Sequence, residues 1–135
     1  MTDVLLRGLL TPGVCKVDGD VEGLAAGPEY SMTFVVEVDQ KVIYQFGPQT
    51  IRDGSPITDD ELSGSNHFHA TLDAGFLTLS FQDQLSKRDE AFGNGSTGTA
   101  TLTLRQGFGD PVEVPTLALG PAPKRTSTAT VEAGT

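Results

Sequence analysis

The sequence predicts an all-β fold, a single antiparallel β-sandwich or small barrel of about seven to eight short strands followed by an extended arm. Three observations carry this reading. Apolar residues alternate with period two in segment after segment. Sixteen glycines and eight prolines divide a 135-residue chain into short pieces. Helix formers never accumulate into a long run, and threonine recurs throughout. The length suits one modest core, and 37% hydrophobic against 20% charged residues is too apolar for a disordered chain.

The first strands are expected at VLLRGLL (4–10) and GVCKV (13–17), with LTPG reading as a turn. A second turn is expected at Asp18-Gly19, opening a Gly/Ala/Pro passage through DGDVEGLAAGPE (18–29). YSMTFVVEV (30–38) sets Met32, Phe34, Val36 and Val38 on one face, and KVIYQF (41–46) follows after Asp39-Gln40. An odd connection, Asp39 to Lys41, would bring Val38 opposite Val42, Val36 opposite Tyr44 and Phe34 opposite Phe46. Because the buried face sets register, the odd connection is expected.

SPITDDELSGS (55–65) carries the one helical signal, with Thr58 or Asp59 as cap and Gly64 as stop. In NHFHATLDAGFLTLSFQ (66–82), an even loop aligns Phe68, Ala70 and Leu72 with Phe81, Leu79 and Leu77. That register makes one coherent apolar face and sends both histidines to the polar one. LSKRDEAFGNGSTG (85–98) reads as a long loop. TGTATLTLR (97–105) alternates Ala100, Leu102 and Leu104 with threonines, and VEVPTLAL (112–119) follows, where Pro115 requires an edge or a bulge. The β domain thus covers residues 1–120. Residues 121–135, polar and without apolar period, form the arm, with Pro121, Pro123, Lys124 and Arg125 as its assembly contacts.

A net charge of −9 and a pI near 4.4 oppose binding to phosphate backbones or anionic lipid, so neither nucleic acid nor membrane is an expected partner. One cysteine, Cys15, excludes an intrachain disulfide and reads as a small buried hydrophobe. The N-terminus lacks the basic start and apolar run of a secretory signal, and no stretch approaches the roughly 18 apolar residues of a membrane span. Synthesis in the cytoplasm, followed by incorporation into a particle, is the expected itinerary.

Two constellations suggest metal chemistry. In residues 18–29 the oxygens of Asp18, Asp20, Glu22 and Glu29, with Gly23 at the sixth position, follow the spacing of a helix–loop–helix calcium site. The flanking helices are missing from the pattern, and Pro28 falls where the exiting helix should run, so a turn and loop is the preferred reading. His67 and His69, two apart on a strand, aim two imidazoles to one side and could share an ion. A third ligand, Asp59, Asp60 or Glu61, would reach them only if the preceding segment folds back. Two half-exposed rings on a threonine-rich face is the simpler account. No serine sits in a G-x-S-x-G setting, and GNGSTG and GFGD neither follow a strand nor open a helix.

No cofactor and no enzymatic activity are therefore expected. The preferred function is a structural subunit of a larger assembly of virus or phage type, such as a capsid decoration, connector or tail component. Its partners would be copies of itself and other subunits. One alternative is a ligand- or carbohydrate-binding sandwich using the 85–98 loop, though the chain has no tryptophan to stack on a sugar. The other is a metal-dependent enzyme around His67 and His69.

Overall fold

In the computed structural model the described residues are 2–24, 29–54, 56–60, 66–84, 93, 95–106, 111–113, 116–120 and 127–133. Eleven strands lie among them: β1 (Thr2–Leu10), β2 (Cys15–Glu22), β3 (Tyr30–Val38), β4 (Lys41–Ile51), β5 (Ile57–Asp60), β6 (Asn66–Asp73), β7 (Phe76–Asp83), β8 (Gly98–Gln106), β9 (Pro111–Glu113), β10 (Thr116–Leu119) and β11 (Ser127–Ala133). They form two antiparallel sheets. One runs β11-β1-β2-β7-β6-β5; the other runs β10-β8-β3-β4, with β9 also on β8. The fold is a β-sandwich.

The core is what the alternation implies. Val4, Leu6, Val17, Val21, Phe68, Leu77 and Phe81 point inward from the six-stranded sheet and meet Met32, Phe34, Val36, Leu102 and Leu104 from the other. Its centre is aromatic. Phe34 stacks on Phe68 at 5.3 Å between ring centroids, Phe46 meets Phe68 at 4.9 Å, and Tyr44 meets Phe81 at 4.8 Å. These contacts join the two sheets.

The β6–β7 hairpin has the expected even register: Ala74-Gly75 form the loop, and Phe68, Ala70 and Leu72 stand opposite Phe81, Leu79 and Leu77. The β3–β4 hairpin corrects the expected loop yet keeps most of the expected pairs. Val38 stands opposite Lys41, so the loop is the two residues Asp39 and Gln40, both at positive φ (51° and 66°). A bulge then inserts Ile43, which restores Val36 to Tyr44 and Phe34 to Phe46. Ile43 and Tyr44 are buried in succession, while Val42 is 52% exposed. A tight two-residue turn suits strand twist, and the bulge absorbs the parity error. A second irregularity sets Thr33 against Gly47 and Pro48. At Gly47, with φ at +83°, a Cβ would collide with the Met32 carbonyl oxygen, so only glycine fits.

Two further expectations are overturned. Asp18-Gly19 is not a turn but the middle of β2, paired with β1 on one side and β7 on the other. Gly19 occupies an inward position, where a Cβ would stand 2.8 Å from Leu6 Cδ2 and 3.1 Å from Leu79 Cγ. The glycine therefore marks close packing between strands and not chain reversal. The first turn lies at Thr11–Val14, as LTPG suggested: Thr11 Oγ1 accepts from the Gly13 and Val14 amides at 3.2 and 3.0 Å. The helical segment is the other correction. Residues 57–60 form β5 on β6, because pairing Ile57 with Ala70 supplies backbone partners that one short helical turn would lack. The rest of that signal, residues 61–65, is outside the described residues.

The expected last strand is seen as β9 and β10, which share one register on β8, Glu113 opposite Leu104 and Thr116 opposite Thr101; residues 114–115 between them, Pro115 included, lie outside the described residues, and β10 is an edge strand among those described. Within the expected arm, Ser127–Ala133 pairs as β11 with β1, from Gly8 opposite Ser127 to Thr2 opposite Ala133. Pro121, Pro123, Lys124 and Arg125 lie outside the described residues, as do 85–92 and 94 of the long loop.

Candidate functional site

Several of the polar residues singled out from sequence, Asp18, Asp20, His67 and His69, lie on the outer face of the six-stranded sheet. Strand alternation puts them there: Cys15, Val17, Gly19 and Val21 face inward on β2, so Lys16, Asp18 and Asp20 face outward. On β6 the inward Asn66, Phe68, Ala70 and Leu72 leave His67 half-buried and His69 exposed on the outer side. Register then aligns them in rows. Arg7, Asp18, Ser80, His69 and Thr58 stand opposite one another in succession across five strands. Lys16, Gln82, His67 and Asp60 make the next row.

A serine, a histidine and an aspartate thus share one row, but in an order that does no nucleophilic work. Ser80 lies between Asp18 and His69, which places the aspartate roughly 10 Å from the imidazole it would have to orient. His69 Nδ1 lies 3.2 Å from Thr58 Oγ1, within hydrogen-bond distance on the next strand. Among the described residues the row shows hydrogen-bonding partners and no nucleophile–base–carboxylate relay.

The metal constellations are dispersed. The segment before β6 does fold back, as a third ligand required, and Asp60 stands opposite His67. Asp59 lies on the alternate side of β5, where its carboxylate accepts from the Tyr44 hydroxyl at 2.7 Å. Glu61 is outside the described residues. Of the calcium-like oxygens, Asp20 pairs with Arg7 at 3.3 Å and Glu29 with Arg52 at 2.6 Å, while Glu22 ends β2. A strand holds Asp18, Asp20 and Glu22 in line instead of curling them round an ion. Among the described residues no three His, Cys, Asp or Glu side chains converge on a common point.

Shallow depressions occur among the described residues on both sheets. One, of about 200 Å³, lies beside Arg7, Leu9, Lys16 and Asp18. The other, of about 150 Å³, lies between Glu37, Gln40 and Thr97–Thr99. Asp39 organises the second: it accepts from Ser96 Oγ at 2.8 Å and from the Thr97 amide at 3.2 Å. The described end of the long loop is thereby fastened to the β3–β4 turn.

Cys15 is inside the sandwich. Burial, and secondarily the Asp83 carboxylate, push its thiol from 9.0 up to about 12, which removes it as a nucleophile at neutral pH. Asp83 and Asn66 complete a buried polar row, Cys15 opposite Asp83 and Asp83 opposite Asn66. Period two shows that 66 and 83 share the inward face, but sequence gives no signal that polar groups would be buried there. The Asp18–Ser80–His69 row was equally hidden, because it depends on β2 pairing with β7 across some sixty intervening residues. No family model matches the chain, and neither a curated protein nor a solved structure is significantly similar to it.

Proposed function

We propose that this chain is a non-enzymatic structural subunit that assembles with copies of itself and other proteins into a larger particle, of the virus or phage type. The observation that carries the reading is the placement of β1 and β11. These two strands lie side by side at one end of the six-stranded sheet, with β11 as its boundary among the described residues. A boundary strand offers main-chain hydrogen-bonding groups to another chain. The acidic surface supports the same reading, since like charge keeps unassembled copies soluble until specific contacts form. The virion type rests on composition and on the β-sandwich architecture. Sedimentation of the purified full chain over a wide concentration range tests the proposal. Discrete oligomers, or co-sedimentation with particle components, are expected. A monomer at every concentration that also retrieves no partner would overturn it.

A further inference from the structure

Asp18-Gly19, Asp53-Gly54 and Asn94-Gly95 each set a side-chain carbonyl carbon within reach of the following glycine nitrogen. That nitrogen can close a cyclic imide on the side chain, because glycine has no Cβ to crowd the attack. The structure blocks the two aspartates. Gly19 lies in the middle of β2, laddered to β1 and β7, so the backbone there is held extended. The Gly54 amide, whose nitrogen would attack, donates to the Leu72 carbonyl at 2.7 Å, and Asp53 Oδ1 accepts from the Ala74 amide at 2.7 Å. At Asn94-Gly95 the surroundings are open. Asn94 itself is outside the described residues, but Gly93 and Gly95 on either side are exposed. A Cβ at either glycine would meet nothing within 4 Å among the described residues. Gly95 holds φ at +91°, and the Ser96 amide donates to the Gly93 carbonyl at 3.2 Å.

We infer that Asn94 is a site of spontaneous deamidation, and that the change loosens the fastening of the long loop to the β3–β4 turn. The Gly95 nitrogen gives up its proton to base and bonds to Asn94 Cγ. The Cγ–Nδ2 bond breaks, and ammonia leaves after taking a proton back. Water then opens the imide. Attack at Cγ leaves aspartate, whereas attack at the main-chain carbonyl carbon leaves isoaspartate, with a main chain one methylene longer. Either product adds one negative charge to a chain already at −9. Ser96 and Thr97, which follow directly, are the residues that hold Asp39, through Ser96 Oγ at 2.8 Å and the Thr97 amide at 3.2 Å. A carboxylate at 94 competes with Asp39 for these donors, and the added methylene disrupts the spacing between Gly93 and Ser96.

Ageing the folded full chain at mildly alkaline pH tests this. Peptide mapping should find the mass gain of amide-to-acid conversion at residue 94, with isoaspartate read by enzymatic methyl labelling. Asp18 and Asp53 should yield isoaspartate only when the chain is aged unfolded in urea. Asn94→Gln, whose longer side chain cyclises poorly, should abolish the change in the folded chain. The converted fraction, separated by anion exchange, should melt below the parent. Conversion at 94 no faster in the folded chain than isoaspartate formation at 53 would overturn the site. A converted fraction that melts with the parent would overturn its action on the loop.

Discussion

The Tyr44 hydroxyl donates a 2.7 Å hydrogen bond to the Asp59 carboxylate, tying β4, the edge of one sheet, to β5, the edge of the other. Its ring is meanwhile packed on Phe34, Phe68 and Phe81. The two roles separate by mutation. Tyr44→Phe keeps the ring and loses one bond to an exposed acceptor, costing about 0.5–1.5 kcal/mol. Tyr44→Ala also opens the aromatic centre and should cost about 3–5 kcal/mol. Urea unfolding of both variants checks this; equal losses would mean that the hydroxyl and not the ring carries the residue's contribution.

The β3–β4 turn gives a stabilising prediction. Gln40 holds φ at 66°, a conformation that costs an ordinary side chain and suits glycine. Gln40→Gly should raise stability by about 0.5–1 kcal/mol. Asp39→Ala should lower it by about 1–2 kcal/mol, because Ser96 and the Thr97 amide lose their acceptor. The pair of opposite signs at adjacent positions is the diagnostic, read from thermal melts of each variant.

Cys15 predicts an alkaline limit. Its folded thiol is pushed up to about 12 from 9.0, so the unfolded chain releases this proton first as pH rises. The contribution is intact below about pH 9 and is lost between there and about pH 12, at up to about 1.4 kcal/mol per pH unit. Cys15→Val removes that dependence. The stability difference between parent and variant should therefore be flat below pH 9 and shift in favour of the variant above it. A difference that stays constant up to pH 11 would refute the assignment.

Divalent cations should have little effect. Asp20 and Glu29 are engaged by arginines on different strands, and β2 keeps its carboxylates in line. Millimolar calcium should leave the melting temperature within about 1 °C, since a ligand that does not bind the native state cannot stabilise it. Elemental analysis should find no stoichiometric zinc, iron or manganese. One equivalent lost on replacing His67 and His69 together with alanine would revive the metal centre.

Local alternation was enough to read the strands that build the core. The β6–β7 register followed from Phe68, Ala70, Leu72, Leu77, Leu79 and Phe81 alone, because any odd loop would have split their apolar face. The same parity argument recovered the pairing of Val36 with Tyr44 and Phe34 with Phe46 but missed the loop, since a bulge at Ile43 can repair parity at a distance from the turn. Asp18-Gly19 misled because a glycine fitted between two leucines looks, in sequence, like a glycine at a reversal. Ile57–Asp60 misled because capping residues are visible locally and the partner strand is not.

The sequence by itself determined that this chain is all-β, a sandwich or small barrel with one apolar face per strand, because period two is a local property of the backbone. It also determined a net acidic chain with a lone cysteine. Tertiary structure decided what the faces and edges hold. The Asp18–Ser80–His69 row, the buried Cys15–Asp83–Asn66 row and the docking of β11 on β1 all depend on which strands become neighbours. Neighbourhood is settled by closure of one shared core between distant segments, and no single segment encodes it.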